Sequence, residues 1–592
     1  MRVSFLIPVY NTDPAVLTLC VNSALKAAGD VHEVVIVDDA SSRGETQEFL
    51  NRCERTGLDN LKLIRNSGNH GVSYALNQAA NASSGDFLAP VDHDDVVVTQ
   101  GFNQMLRSLR YHDAVWAYSD EIQVDEKGFL IQRLYKPDYS PQLLRSLMYI
   151  NHLQIFSKGL FQRLGGYREG FEGSQDYDLA LRMSEAADPL HVEEIAYHWR
   201  ILDQTQSRSG EQLNAASIDN ALRALEDHFE RTGMVMTVQP VLFKRHADTE
   251  PEPIGVYRSR PVATDDPLVS IVIPCRLGTT KLINGKTLTL LEHCLQALHR
   301  SIPSAALEND SSERVEIVLV LNDGDDVEAA KSALLRHGLN GIAITDQPGF
   351  NFSRKCNLGA TTASGQILVF LNDDTDMRTV DWTSEIVAIL QEGSVACVGG
   401  MMLNADHTVQ SCGDNVGRDS AVHYAPELSA SGVGDPMHRY LADHETTSIS
   451  GAFLCCRKTT FDALNGFSEA FPNSFQDVDF CLRARAKGMR CITAPGVRLL
   501  HFESATRDAN VDAQTLSALR SYHRPGLSGK DPYAFWRYQP IYFSIFSYNG
   551  LKTRVFRIAK IFVRLARRIE KALTHAPRCW RGVLKKSEYR VN

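Results

Sequence analysis

The sequence predicts an α/β protein with two tandem domains of similar architecture, each built on a mostly parallel sheet. Segments of the first half return in the same order in the second: residues 3–11 (VSFLIPVYN) as 269–277 (VSIVIPCRL), and 83–95 (SSGDFLAPVDHDD) as 363–375 (ASGQILVFLNDDT). Within each half, short β-branched runs bounded by turn residues alternate with helical patterns. Such alternation is typical of a parallel sheet with helices on its faces.

The separation between matching segments increases along the chain, as expected when loop insertions lengthen one copy of a domain. A third pair, FEGSQDYDLALR at 171–182 and PNSFQDVDFCLR at 472–483, extends the repeat towards the end of each half. Between the copies, prolines and charged residues favour an extended connector. We predict a first domain at 1–245, a linker at 246–267, a second domain at 268–530 and a basic helical tail at 531–592.

The composition is that of a globular protein and excludes several other classes. Hydrophobic residues make up 43% of the 592 residues and charged residues 22%, which excludes disordered and collagen-like chains. The formal charge of −9 provides no basic excess that would favour nucleic acid as a partner. The twelve cysteines include no CxxC pair, and no apolar run approaches membrane-spanning length. We therefore expect reduced thiols in a cytoplasmic protein.

Acidic residues follow predicted strands in both halves. Asp92, Asp94 and Asp95 follow an apolar strand, and Asp373 and Asp374 follow the matching strand of the second half. Clustered carboxylates repel one another unless a positive group lies between them, and Mg²⁺ or Mn²⁺ held by carboxylates keeps positions open for phosphates. A solvated acidic loop is the alternative for one cluster, but the recurrence favours metal binding. Neither a GxGxxG fingerprint nor a P-loop is present.

The ordered set of motifs resembles the family 2 glycosyltransferases of the GT-A fold. The first half carries PVYN, VDDAS, DHDD, SQDYDLALR and HWR. The second half carries FNFSRKCNLGA, LNDDT, FQDVDFCLR and HFES, and it resembles the rhamnosyltransferase-like members of bacterial surface polysaccharide gene clusters. The likeness covers about residues 3–205 and 269–507. It implies nucleoside-diphosphate-sugar donors and a divalent cation, Mn²⁺ or Mg²⁺, as cofactor.

Carried over residue by residue, the resemblance implies a role for one set of side chains in each half. Asp176 and Asp477 would be the general bases. The metal ligands would be Asp94 and His198 in the first half, and Asp374 and His501 in the second. The first donor pocket would comprise Pro8, Tyr10, Asn11, Asp38, Asp39 and Asp92, with Asp39 facing a pyrimidine base. The second donor pocket would comprise Pro274, Asn322, Asn372 and Asp373.

Structural alternatives remain open for these residues. An acid near a helix N-terminus, such as Asp176, is often a cap or dipole partner, and His198 beside a tryptophan could be an interior histidine. The second half also departs from the family pattern, because Leu321 and Asn322 stand at its VDD-like element and Asn372 at the first DxD position. The departures predict altered base recognition. Residues 119–121 (SDE) fit the family pattern too, without a physical role that the sequence reveals.

The C-terminal segment is strongly basic in an otherwise acidic chain. From Lys552 to Asn592 there are thirteen lysines and arginines against two glutamates, and apolar residues recur at helical spacing. This pattern predicts an amphipathic helix able to lie on an anionic membrane surface. Docking on the protein's own acidic surface or on an assembly partner is the alternative.

One carboxylate acting as base in a single displacement implies inversion at the anomeric carbon, whereas glycoside hydrolysis needs a pair of carboxylates around the bond. We therefore predict an inverting, metal-dependent glycosyltransferase with two active sites, for a growing surface polysaccharide of the O-antigen or capsule type. The acceptor would be a glycan or a polyprenyl-diphosphate-linked glycan at the cytoplasmic face of the inner membrane. Two alternatives are a chain with one catalytic and one acceptor-binding or structural domain, and a nucleotide-sugar-binding scaffold without turnover.

Overall fold

The computed structural model describes the two halves of the repeat but not the basic tail. The described residues are 1–202, 214–244, 250–262, 267–283, 285–303, 315–417, 420–423, 438–502, 513–523 and 531–534. The predicted tail helix therefore lies outside the described residues. Contacts divide the chain into one unit of Met1–Ala509 and Gln514–Arg537 and a second of Asn510–Ala513 and Tyr538–Asn592. Both halves of the repeat belong to the first unit.

A nine-stranded sheet forms the centre of the first half. Its strands are β1 (Val3–Val9), β2 (Glu33–Asp38), β3 (Leu61–Arg65), β4 (Phe87–Pro90), β5 (Val96–Val97), β6 (Trp116–Val124), β7 (Leu130–Leu134), β8 (Gln154–Ser157) and β9 (Leu190–Arg200). They lie in the order β3-β2-β1-β4-β8-β6-β9-β5, with β7 beside β6. The first four strands of this order are parallel, and β8 runs antiparallel between β4 and β6. The strand order changes direction at β1, which places a ligand-binding crevice at the carboxyl ends of β1, β2 and β4.

A two-stranded ribbon connects the halves and covers part of the expected linker. It pairs β10 (Met236–Phe243) with β11 (Glu252–Pro261) in antiparallel fashion. The described part of the connector is thus extended, as its prolines predict, and it is hydrogen-bonded to the end of the first half.

The second half repeats the topology of the first. Its strands are β12 (Val269–Pro274), β13 (Thr280–Ile283), β14 (Lys286–Thr289), β15 (Val315–Leu321), β16 (Gly341–Thr345), β17 (Ile367–Leu371), β18 (Thr375–Met377), β19 (Val395–Leu403), β20 (Val409–Ser411), β21 (Asp414–Gly417), β22 (Ser420–His423), β23 (His444–Thr446), β24 (Phe453–Arg457) and β25 (Arg490–His501). The main sheet has the order β16-β15-β12-β17-β24-β19-β25-β18, with β20 and β23 at its sides. Each position matches its counterpart in the first sheet. The predicted α/β class with two similar sheet-centred regions is confirmed.

Helices cover both faces of each sheet. In the first half they are Pro14–Ala28, Gly44–Arg55, Val72–Ala82, Thr99–His112, Pro141–Ser146, Lys158–Arg163, Gln175–Ser184 and Ala215–Thr232. In the second half they are Leu290–Ser301, Val327–Arg336, Phe352–Thr362, Trp382–Leu390, the 3-10 turn Arg439–Leu441, Lys458–Ala463, Gln476–Ala486 and Ala513–Tyr522. Neighbouring residues of β1 point to opposite faces, so Phe5 and Ile7 join one apolar cluster and Leu6 the other. Because both faces are buried, every residue of β1 except Ser4 is apolar.

Buried charged groups join the two halves. Glu445 of β23 is 1% exposed, and its carboxylate accepts hydrogen bonds from the Gln142 backbone N–H at 3.1 Å and from the Ser140 hydroxyl, at the start of a first-half helix. Arg490 of β25 donates to the same carboxylate at 3.0 Å. At the ribbon, Arg260 pairs with Asp443 and Glu385 of the second half. These contacts hold the first sheet and the second sheet against each other.

Among the described helices, none is both long enough and apolar enough to cross a membrane.

Candidate active sites

The loop after β2 in the first half is built around two aspartates. Asp38 is buried and accepts hydrogen bonds from the Ser41 backbone at 3.0 Å and from the Gln47 amide at 2.8 Å. Asn11, with φ of 52°, accepts from the backbone N–H groups of residues 42 and 43 at 2.8 Å each. Asn11 thereby links the loops that follow β1 and β2 into one rim. Pro8 is buried within β1, and Tyr10, just beyond the strand, is 48% exposed.

Asp39 holds the opposite loop of this rim. Its carboxylate accepts from the Asn66 amide at 2.7 Å, from the His70 N–H at 3.0 Å and from the Gly71 N–H at 2.8 Å. The side chain is 4% exposed. Three of the roughly four acceptor positions of a carboxylate are thus used within the protein.

The acids after β4 occupy three different environments. Asp95 is buried, and its carboxylate accepts from the Arg200 backbone N–H at 2.7 Å. Burial raises the pKa of Asp94, against the opposing charge of His93. The Asp92 side chain is 52% exposed. Asp95 is therefore a structural anchor for the loop, whereas Asp92 is its exposed acid and Asp94 is largely buried.

Asp176 lies in the same pocket as Asp92. It is the second residue of the helix Gln175–Ser184, and the Gln175 amide donates to its carboxylate at 3.1 Å. Burial, helped by the negative charge of Asp92, raises the pKa of Asp176 to about 6. The pocket is lined by Leu76, Pro90, Val91, Asp92, Asn151, His152, Gln154, Gln175 and Asp176. A carboxylate with a pKa near neutrality beside a ligand pocket has the properties of a general base.

His152 is a site residue that sequence reasoning missed. Its Nδ1 lies 3.2 Å from Glu121 and its Nε2 lies 3.5 Å from Asp92. Burial opposes the charged form, but Glu121 and the nearby aspartates raise the pKa of His152 to about 9. Glu121 belongs to the SDE segment, so the fold supplies the role that the sequence lacked: Glu121 holds a cationic histidine against Asp92 of the pocket. The only sequence signal was that SDE motif.

His198 is placed beside the acidic loop by strand pairing. It lies opposite Val96, two residues after Asp94, across the β5–β9 pair, and burial lowers its pKa. A half-buried imidazole whose charged form is disfavoured, and a carboxylate whose pKa burial raises, suit a divalent cation. Neither Asp94 nor His198 belongs to a described group of three potential ligands within 4.8 Å; those groups are Cys397–Cys481–Cys491 and Asp138–His191–Glu193.

Asp477 occupies in the second half the position of Asp176 in the first. It is the second residue of the helix Gln476–Ala486, and its carboxylate accepts from the Gly451 N–H at 2.6 Å and from the Val478 N–H at 2.9 Å. Burial, and then the charge of Asp414, raise the pKa of Asp477 to about 6. The helix start thus carries a base-like carboxylate in both halves. The surroundings differ, because Ala452 stands where the first half has His152.

The predicted metal ligands of the second half are arranged to receive a cation. The side-chain nitrogen of Gln410 donates to the backbone carbonyl of His501 and to the side-chain oxygen of Asn404. The side-chain oxygen of Gln410 therefore faces His501 Nδ1, at 2.7 Å. Nδ1 therefore carries the proton, and Nε2 points towards Asp374 at 3.3 Å. A carboxylate and an imidazole lone pair facing each other fit a divalent cation, or a proton between them. Where His501 is protonated, its charge outweighs burial and lowers the pKa of Asp374.

The donor-pocket residues of the second half lie at the matching strand ends. Pro274 ends β12, and Asn322 follows β15. Asn372 follows β17, and its amide nitrogen lies 3.4 Å from His501 Nε2. Burial and the adjacent Asp374 raise the pKa of Asp373 to about 7. The fold brings Asn372, Asp374 and His501 together, whereas Asn322 contacts Lys355.

Comparison with known proteins identifies the family of a domain in the first half. Residues 4–164 match the family model of glycosyl transferase family 2, so the predicted family is confirmed and the chain carries a glycosyltransferase domain of that family. Over 540 residues the chain is 30% identical to the O-antigen biosynthesis protein RfbC of Myxococcus xanthus, covering 90% of this chain and 40% of that protein. Over 524 residues it is 28% identical to the uncharacterized protein y4gI of Sinorhizobium fredii, covering 85% of this chain and 53% of that protein.

The chain spans about half, or less, of the length of these curated relatives. Among solved structures, that of S. aureus TarS residues 1–349 in complex with UDP-GlcNAc aligns with a TM-score of 0.32 and 19% identity. The alignment covers 39% of this chain and 66% of that chain.

Proposed function

We propose that the chain is an inverting glycosyltransferase with two active sites, each using a nucleoside-diphosphate-sugar donor and a divalent cation. One observation carries the proposal: two sheets of identical strand order each place an aspartate with a pKa of about 6 at the start of a helix, Asp176 and Asp477. A pure binding module has no need of a base at this position. The doubled arrangement therefore favours two catalytic centres over a nucleotide-sugar scaffold.

The residues support a single displacement. The acceptor hydroxyl attacks the anomeric carbon, its proton passes to the aspartate carboxylate, and the bond to the diphosphate breaks with both electrons staying on the departing oxygen. At the operating pH a carboxylate with a pKa near 6 is mostly ionised and still basic enough to take that proton. In the first half the His152 cation stabilises negative charge beside Asp92. One attack from the face opposite the leaving group inverts the configuration.

The cation would be held by Asp94 and His198 in the first half and by Asp374 and His501 in the second. When bound, it supplies positive charge for the departing diphosphate. The second set is the better ordered of the two, because Gln410 fixes the His501 tautomer.

Metal removal tests this assignment. We expect EDTA to reduce both sugar transfers by at least about 100-fold and Mn²⁺ or Mg²⁺ to restore them, because the leaving group then loses its main charge compensation. The measurement is transfer with a panel of nucleoside-diphosphate sugars. Gln410→Ala should raise the Mn²⁺ concentration needed for the second transfer by about 10-fold without changing that of the first, as outer partners of a metal-bound histidine do. Transfer by both sites in EDTA would overturn the metal assignment.

We further propose that the acceptor is a growing surface polysaccharide of the O-antigen or capsule type, free or linked to polyprenyl diphosphate. The similarity to a relative named for O-antigen biosynthesis supports this class. The place of action would be the cytoplasmic face of the inner membrane, and no nucleic acid partner is implied.

The basic segment Lys552–Asn592 is proposed as the contact with that membrane or with another assembly protein. Deleting the chain from Leu551 onward should weaken co-sedimentation with vesicles containing anionic lipid several-fold, because thirteen basic residues are removed. Neutral phosphatidylcholine vesicles are the control. Equal sedimentation of the full chain and the truncated chain would leave a protein partner as the role of the tail.

A further inference from the structure

We infer that the two donor pockets read opposite hydrogen-bonding groups on the nucleobase: the first reads a base N–H, and the second reads a base acceptor atom. This inference rests on the proposed function, because it takes Asp39 and Asn322 as the residues that face the base. It concerns a difference between the two pockets that neither the shared fold nor the shared motifs predict.

Asp39 and Asn322 occupy the same position in the two halves. Pro8 pairs with Val37 in the first sheet, and Pro274 pairs with Val320 in the second, so each residue is the second one beyond the matched pair. The neighbouring helices, Val72–Ala82 and Phe352–Thr362, can be matched in the same way.

The match of the helices is fixed by one asparagine in each. Asn77 donates to the Tyr167 carbonyl at 2.8 Å and accepts from its N–H at 2.9 Å, and Asn357 makes the same pair of bonds with Phe467. Two residues earlier, the first half has Ala75 and the second half has Lys355. A lysine has thus been introduced beneath the second pocket only.

Lys355 is buried and directed at Asn322. It is 2% exposed, and its Nζ donates to the Cys275 carbonyl at 2.9 Å and to the Asn322 side-chain oxygen at 2.9 Å. An ammonium group has three donors and no acceptor, so it decides which way the amide faces. The oxygen of Asn322 points inward to Lys355, and the NH₂ group points away from it. In the described part of the chain this NH₂ group has no hydrogen-bond partner, and Asn322 is partly exposed.

The first pocket presents the opposite polarity. Asp39 is ringed by three donors, from Asn66, His70 and Gly71, as expected of an acceptor-only carboxylate. Its remaining acceptor position can take one N–H from a ligand. Uracil, thymine and guanine offer a ring N–H on the pairing edge, whereas cytosine and adenine offer a ring nitrogen acceptor there. An NH₂ group at Asn322 suits the acceptor and leaves a ring N–H unpaired.

The test is hydrogen exchange of the full chain, followed by mass spectrometry, during titration with UDP and with CDP. Protection of peptides containing residues 39–43 and 322–326 reports on each pocket separately. We expect the ratio of CDP to UDP affinity to be about 10- to 100-fold higher in the second pocket than in the first, as a mispaired hydrogen bond to a charged or buried partner predicts. Equal ratios in the two pockets would overturn the inference.

Three variants make the test specific. Asn322→Asp combined with Lys355→Ala gives the second pocket the residue types of the first, and it should lower the CDP-to-UDP ratio there about 10-fold. Asp39→Asn should raise the ratio in the first pocket. Lys355→Met keeps the volume of the side chain and frees the Asn322 amide to turn, so the second pocket should lose its preference between CDP and UDP. The urea unfolding midpoint of this variant shows whether the chain is folded.

Failure of the proposed function and failure of the inference about Lys355 and Asn322 give different results. If neither pocket is protected by any nucleoside diphosphate, the proposed function fails. If both pockets bind with the same preference, or if the three folded variants leave the ratios unchanged, the proposed function stands and the inference about Lys355 and Asn322 is wrong.

Discussion

Replacing Asp176 with asparagine should abolish one sugar transfer and leave the other intact. The amide keeps the size of the side chain and its contact with Gln175 but cannot accept the acceptor's proton. Loss of a positioned general base costs typically about 10²- to 10⁴-fold in rate. Asp477→Asn should abolish the complementary transfer by a similar factor. The measurement is kcat for each donor that the wild type uses, with the linkage formed identified by NMR.

Asp59→Asn is the matched control, because Asp59 lies exposed in a surface loop and should leave both rates unchanged. If one of the two base variants is silent, only one half transfers sugar and the other binds acceptor or supports the fold. If both are silent, the assignment of these carboxylates as bases is wrong.

The same carboxylates set the pH dependence. A base must be ionised to act, and burial raises the pKa of both Asp176 and Asp477 to about 6. The rate of each transfer should therefore be on a plateau above this pH and fall about tenfold per pH unit below it. In the first half His152→Ala removes a cation near Asp176, so the midpoint of that profile should move to higher pH. The second profile should not move.

Replacing Glu445 with alanine should destabilise the chain strongly, although Glu445 lies outside the sequence motifs that contain Asp176 and Asp477. The change leaves Arg490, the Ser140 hydroxyl and the Gln142 N–H without their buried acceptor. Arg490 keeps its ion pair with Glu392, but each buried donor left without an acceptor costs about 1–3 kcal/mol, so we expect a loss of about 3 kcal/mol or more in the free energy of unfolding. The measurement is the shift of the urea unfolding midpoint. The rate of the first sugar transfer should fall as well, because Tyr177, the neighbour of Asp176, donates a hydrogen bond to the helix Pro141–Ser146 that Glu445 caps.

Glu48→Ala provides the comparison. Glu48 also pairs with an arginine, Arg52, at 3.5 Å, but both side chains are more than half exposed, so its removal should cost no more than about 1 kcal/mol. A Glu445→Ala variant as stable as Glu48→Ala would show that the contact between the halves contributes little.

The repeat carried the most information in the sequence. It predicted two sheets of the same kind because matching apolar runs, such as 3–11 and 269–277, specify matching buried strands. It also placed the acids at strand ends, since parallel strands bring their carboxyl ends to one edge. Asp176 and Asp477 could be singled out because each lies in the same motif at the start of a helix.

Other site residues could not be found in this way. His152 and Glu121 are 31 positions apart, and they meet only because β6 lies beside β8. Lys355 lies inside a helix motif and looks like a surface lysine until the packing shows it buried against Asn322. The environments of Asp38 and Asp95 likewise depend on partners from distant loops.

The local pattern of apolar and acidic residues was thus enough to predict the α/β class, the repeated sheet and the family, and to propose Asp176 and Asp477 as the two bases, because each depends on residues close together in the chain. The folded chain alone decided which charges face one another: the His152 cation between two acids, the tautomer of His501, the direction of the Asn322 amide and the Glu445 contact between the halves. Electrostatic interactions depend on separation and burial in space, and residues far apart in sequence acquire both only when the sheets and helices pack.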